Sequence, residues 1–139
     1  MPEYPITIMV EGEPVPKQSF HYTKNGGGFT DPRMKRWQTM VAYKAKEAMQ
    51  GNDPILGETS IRLIFTLSNR RRVDLDNLSK GTMDGLREIV IDDDSQVVNL
   101  HIVKHIKGKV INAVPGVLIQ VYPGPALPFV WVENEASHG

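Results

Sequence analysis

The stretch RRRVDLDN, residues 70–77, sets three consecutive arginines beside two carboxylates, Asp74 and Asp76, that flank one leucine. A second acidic run, Asp92, Asp93 and Asp94, follows further along. Asp74 and Asp76 have the period of a strand end, so their side chains point to one side. The chain between the two runs is helical in pattern and then enters another strand. A strand–helix–strand unit of this length is expected to bring both acidic groups to the same end of the sheet. Converging carboxylates repel: two unit charges about 4 Å apart cost roughly 4 kcal/mol at an effective dielectric near 20. Such a cluster is tolerated when a proton or a cation sits in it. The chain has no cysteine, and an oxygen-only ligand set suits Mg²⁺ or Mn²⁺. A calcium loop is excluded. Counted from Asp74, its fifth, sixth and twelfth positions would be Leu78, Ser79 and Gly85, where the motif needs Asp or Asn, Gly and Glu.

Mg²⁺ held by a few carboxylates completes its shell with water and phosphate oxygens. Guanidinium groups bind phosphate in a bidentate way. Arg70, Arg71 and Arg72 therefore fit beside such a site if its target is a phosphodiester. Lys80, one helical turn after Asp76, can stabilise developing charge or position a water. Each feature also has a plain structural reading. Asp76 or Asn77 can cap a helix, the aspartate run can be a polar turn, and the arginines can be a solvated loop. Lys80 can simply pair with Asp76 and Asp84 at i,i+4, which is worth little. It is the joint pattern that favours chemistry.

These residues need a frame to hold them. PITIMVEG alternates and predicts a first strand with Ile6, Ile8 and Val10 on one face. EPVPKQSFHYTKNGGGFTDP, with its prolines and Gly26–Gly28, reads as a long mobile loop. Asp31-Pro32 suits a helix cap and first position. Met34, Trp37, Val41, Ala45 and Ala48 then follow at helical spacing, to about Gly51. TSIRLIFTL is a strand with Ile61, Leu63, Phe65 and Leu67 on one face. A second helix is expected from about Asn77 to Val90, its buried stripe Leu75, Leu78, Thr82, Leu86 and Ile89. SQVVNLHIVKHI alternates with Val98, Leu100 and Ile102 inward, and GVLIQVYP makes a last strand. His101 and His105 fall on the outward side, and Trp37 belongs to the core stripe. The order β-α-β-α-β-β implies one α+β domain: a mixed sheet carrying two main helices. Residues 1–122 form that domain. Residues 123–139 form a C-terminal tail whose Phe129, Val130 and Trp131 can dock on the domain's flank or on a partner chain.

Composition agrees with a globular chain. Of 139 residues, 40% are apolar and 23% charged, far from the signature of disorder. No apolar run approaches the roughly 18 residues of a membrane span, and the N-terminus has no signal-peptide pattern. With no cysteine, a cytosolic protein is expected. Formal net charge is zero, but the charges are segregated. Residues 1–50 carry seven Lys/Arg and five Asp/Glu, whereas residues 51–100 carry six and nine.

RRRVDLDNLSKGTMDGL followed by IDDDSQVVNLHIVK resembles the RusA family of Holliday-junction resolvases, common in phages and prophages. The shared pattern is a basic run, Asp-x-Asp-Asn, a Lys four after the second Asp, an Asp four after that, then Asp-Asp-x-Gln-Val. It covers roughly residues 70–104. The resemblance implies an Mg²⁺-dependent homodimer in the cytoplasm of a bacterial host. It would bind branched, four-way DNA and nick two strands of like polarity. It places the essential carboxylates on Asp74, Asp76 and Asp94, the catalytic lysine on Lys80, and the family's other acidic position on Asp93. DNA contacts are expected from Arg70, Arg71, Arg72 and Lys17. The chain departs from the pattern in its third consecutive acid, Asp92, and in an early loop that offers Lys17 and His21 but no arginine. Two rival functions share these residues: a branched-DNA-binding protein that has lost cleavage, and an Mg²⁺-dependent nucleotide phosphohydrolase. No P-loop is present to favour the latter.

Overall fold

The structure is a computed structural model that describes residues 4–17, 31–69, 72–106 and 114–127. Arg70, Arg71, His21, the Gly26–Gly28 run and the tail's Phe129, Val130 and Trp131 lie outside the described residues. The elements are β1 (Ile6–Glu11), α1 (Pro32–Met49), β2 (Thr59–Leu67), α2 (Leu75–Leu86), β3 (Val97–Ile106) and β4 (Gly116–Pro123), with a short 3-10 turn at Asp94–Gln96 before β3. The class is the α+β one that the patterning predicts.

The four strands form one mixed sheet in the order β1-β4-β2-β3. β4 is antiparallel to both β1 and β2, while β2 and β3 are parallel. Alternation decides the faces. Ile6, Ile8, Val10, Ile61, Leu63, Phe65, Val117, Ile119 and Val121 are buried in one core. Met34, Trp37, Val41, Ala45 and Met49 from α1, and Leu78, Met83 and Leu86 from α2, close over it.

α1 starts where its cap chemistry dictates. The Asp31 carboxylate accepts the Arg33 N–H at 2.8 Å, and Pro32 occupies the first turn. The helix stops at Gln50, in the left-handed region, whose N–H bonds the Lys46 carbonyl. α1 and α2 approach closely. A Cβ on Gly81 would lie 2.8 Å from Met34 Cε, and one on Gly85 2.7 Å from Val41 Cγ1. At that contact the buried Trp37 indole donates to Thr82 Oγ1 at 3.2 Å. Trp37 is thus a core residue with its polar atom satisfied. Among the described residues no helix is long and apolar enough to cross a membrane.

Three local expectations need correction. Leu75, expected in the buried stripe of α2, is 38% exposed in its first turn. α2 begins at Leu75 and ends at Leu86, short of Val90. Arg87 takes an extended ψ of 140° that ends the helical path, and Glu88 follows with a positive φ of 68°. This drops Val90 and Ile91 into the core, where the Val90 carbonyl accepts the Ile55 N–H at 2.8 Å. In β3, Val98 is 51% exposed rather than inward. Thr59 pairs with Val97, but Ser60 pairs with Asn99, so Val98 is an unopposed extra residue. A one-residue bulge flips the side-chain parity across it. Leu100 remains on the core side, opposite Ile61, and is still 40% exposed because β3 is an edge strand.

Candidate functional site

The chain leaves the sheet at the C-terminal end of β2 and enters α2 through Val73 and Asp74. Asp74 occupies the N-cap position in an extended conformation, yet its carboxylate makes no capping hydrogen bond. Asp76 lies inside the first turn, so it is not the cap. Its carboxylate meets Lys80 Nζ at 3.6 Å, one turn on, and both groups are well exposed. An exposed pair of this kind contributes little stability and can exchange partners. Two carboxylates and an ammonium therefore stand open at one end of α2, none committed to holding the helix together. Arg72 is exposed just before them.

Two further lysines frame this end. Lys104, near the end of β3, donates from Nζ to the Val73 carbonyl at 3.0 Å and so anchors the turn that presents Asp74. Lys17 crosses α2 from the other side. Its backbone N–H bonds the Asn77 carbonyl, and its ammonium pairs with Asp84 at 2.7 Å. Gln38 also donates to Asp84, at 3.2 Å. Asp84 is thus taken by Lys17 and Gln38, while Lys80 faces Asp76.

The second acidic run is organised by Gln96. Its Oε1 accepts the backbone N–H groups of Asp92 (2.8 Å) and Asp93 (3.0 Å). Its Nε2 donates to the Ile55 carbonyl, the Gly57 carbonyl and Thr59 Oγ1 at 2.6, 3.1 and 2.9 Å. One amide ties the acidic turn to the start of β2. Asp93 caps the short turn, accepting from the Ser95 N–H and hydroxyl. Those hydrogen bonds, with the Arg87 charge nearby, hold its carboxyl below the ordinary carboxylate range. Asp94 is exposed and meets Arg87 at 3.5 Å.

The two acidic groups do not converge within one chain. β2 and β3 are parallel, with Thr59 beside Val97. Asp94 therefore sits at the start of both strands, whereas Asp74 and Asp76 sit beyond the end of β2. The helix between them carries the chain back along the sheet, about 15 Å from Asp76 to Leu86 at 1.5 Å per residue. Among the described residues no three His, Asp or Glu side chains are grouped closely enough to hold a metal ion. The expected Asp74, Asp76, Asp93 and Asp94 cluster is thus divided in two, with Asp93 occupied as a cap.

A family model described as endodeoxyribonuclease RusA matches residues 11–122. The chain belongs to this family. It is also 34% identical, over 121 residues, to the crossover junction endodeoxyribonuclease RusA of Aquifex aeolicus (strain VF5), covering 85% of this chain and 91% of that protein. Within the RusA match lie both acidic groups, Lys80, Gln96, both helices and the strands β2, β3 and nearly all of β4. Sequence reasoning missed three residues that shape the two ends of this RusA domain. Lys104 reads as one more polar residue of an alternating strand. Arg87 reads as the end of a helix. Gln96 reads only as a member of the Asp-Asp-x-Gln-Val pattern, although an amide beside an acidic turn can bind backbone on both sides.

Proposed function

We propose that this chain resolves four-way DNA junctions by paired, symmetric nicks, in keeping with the crossover junction endodeoxyribonuclease for which its Aquifex relative is named, and that Mg²⁺ is its cofactor. One observation carries the chemistry: Asp74 and Asp76 stand exposed together at the start of α2, unused as caps, with Lys80 one turn away. Mg²⁺ is usually bound by one or two carboxylates plus waters and phosphate oxygens, so this pair of donors fits it. When bound, the metal would polarise the phosphodiester and make an attacking water more acidic. Asp74 and Asp76 would hold it. Lys80 would place a cation against the charge that develops on the phosphoryl oxygens. Arg70, Arg71 and Arg72 would grip neighbouring phosphates.

Asp94 enters through a second copy of the chain. β3 is an edge strand with exposed Val98 and Leu100, a surface that lends itself to pairing. A two-fold partner seated there runs in the opposite direction, so its Asp94 end faces the Asp74–Asp76 end of the first copy. The dimer then has two composite sites, one for each strand to be cut.

A four-way junction labelled on each strand in turn, incubated with Mg²⁺, tests the proposal. Paired symmetric nicks are expected. Binding without cutting would assign the chain to junction recognition alone. Neither binding nor cutting, with hydrolysis of free nucleotides, would make it a phosphohydrolase.

A further inference from the structure

The zero net charge of the chain hides one strongly basic element. α1 carries Arg33, Lys35, Arg36, Lys44 and Lys46 against the single acid Glu47, while the whole chain has sixteen of each sign. The buried stripe of α1 is Met34, Trp37, Val41, Ala45 and Met49. At 100° per residue, the opposite face presents Lys35, Arg36, Thr39, Tyr43, Lys46 and the acid Glu47, with Met40 at its edge. Arg33 is engaged by Asp31 at 3.0 Å and Lys44 by Glu47 at 3.7 Å. Lys35, Arg36 and Lys46 have no ion-pair partner among the described residues. Tyr43 is 62% and Met40 43% exposed. An open groove of about 680 Å³ runs along this face, bordered by Pro32, Lys35, Arg36, Thr39, Met40 and Tyr43.

Position ties this face to the acidic pair. Met34 lies over Gly81, the residue after Lys80, and Val41 lies over Gly85. The Lys35–Arg36 end of α1 is therefore level with the Asp76–Lys80 end of α2. Lys46 is about 15 Å further along the helix. A solvated helix face commonly mixes charge signs at i,i+4, which relieves repulsion. Here the cations outnumber the acids: Glu47 pairs with Lys44 and Asp31 with Arg33, while Lys35, Arg36 and Lys46 form no ion pair of their own among the described residues, and a polyanion with regularly spaced charges satisfies them. Duplex DNA offers one phosphate charge per about 1.7 Å of its axis.

We propose that the outer face of α1 is a phosphate-binding surface for a duplex arm of the junction, guiding that arm away from the acidic pair. The proposal rests on the junction-nuclease reading above. Its contacts are electrostatic and indifferent to sequence, with Tyr43 and Met40 packing against sugar edges.

The test compares the wild type with the Lys35→Ala, Arg36→Ala, Lys46→Ala triple variant. Affinity for a plain duplex and for a four-way junction is measured across a salt series, and junction cleavage is measured at saturation. Each lost phosphate contact should reduce the slope of log affinity against log salt by about 0.9, so the triple variant should lose about 2–3 units of slope and bind at least tenfold more weakly. Turnover at saturation should be unchanged. The charge-retaining Lys35→Arg, Lys46→Arg double variant should keep the wild-type slope, separating charge from damage to the helix. An unchanged slope for the triple variant on plain duplex overturns the proposal, whether or not the protein cuts junctions. Equal binding of wild type and triple variant to DNA, with α1-dependent binding to anionic phosphatidylserine vesicles instead, also overturns it. Failure of the wild type to cut junctions counts against the function proposed above. The duplex salt slopes then still decide the role of α1.

Discussion

Asp76 and Asp94 stand at opposite ends of the same strand–helix–strand unit: Asp76 in the first turn of α2, Asp94 beside the start of β3, with Arg87 at 3.5 Å. A site that uses both must take them from two chains.

Mixing two inactive variants tests this arrangement directly. Asp76→Asn and Asp94→Asn homodimers should each fail to cut. Heterodimers formed by co-refolding should regain one intact site, made of Asp76 from one copy and Asp94 from the other. That site should nick a junction once and leave the paired cut incomplete. If the mixture stays inactive while subunit exchange is verified by native mass spectrometry, the composite site is wrong.

Lys80→Ala should lower turnover far more than junction affinity. Folding stability should change by no more than about 0.5 kcal/mol, because the Asp76–Lys80 pair is exposed. Single-turnover cleavage beside a binding titration reads both quantities. Parallel losses in rate and affinity would make Lys80 a phosphate anchor only.

Divalent cation should stabilise the protein. With an assumed dissociation constant of about 1 mM and about 10 mM free Mg²⁺, mass action gives roughly 1.4 kcal/mol. That corresponds to a rise of roughly 3–6 °C in melting temperature for a chain of this size. Asp76→Asn should remove most of the shift. Monovalent salt at matched ionic strength should not reproduce it, since screening is not coordination. A full shift retained in the variant would remove Asp76 from the ligand set.

Gly85→Ala should destabilise the fold by about 1–2 kcal/mol, although alanine favours a helix. The added methyl meets Val41 Cγ1 at 2.7 Å and the Gln38 carbonyl oxygen at 3.0 Å, and a backbone atom cannot swing aside. Overpacking costs about 1–3 kcal/mol, more than the roughly 1 kcal/mol of propensity gained. Urea denaturation decides the sign; a stabilised variant would show that the helices can part without cost.

Acid sensitivity should include a contribution from Asp93. Its folded pKa lies below the ordinary carboxylate value because Ser95 hydrogen-bonds the ionised form. That stability is fully present above the unfolded pKa of about 3.9 and is lost as pH falls through the depressed folded value. Asp93→Asn should therefore flatten the low-pH side of the melting-temperature profile below about pH 4. An unaltered profile would mean that the cap does not persist in solution.

The local pattern of the sequence determined most of the elements and the chemical content of the site. Ile6, Ile8 and Val10, or Ile61, Leu63 and Phe65, face the core because a strand alternates with period two, whatever surrounds it. Asp31-Pro32 starts α1 for an equally local reason. Asp74, Asp76 and Lys80 share one end of α2 because they are near in sequence. The relation of Asp76 to Asp94 was expected the other way, with both acidic groups at one end of the sheet; β2 and β3 are parallel, so the helix between them carries the chain back and starts β3 at the far end. Only the tertiary structure decided that β3 lies at the sheet edge beside β2, that Val98 bulges out of register, and that α1 packs closely enough on Gly81 and Gly85 to align its basic face with Lys80. Those outcomes depend on which surfaces compete for the same core, a sum over contacts distant in sequence that no window of local spacing contains.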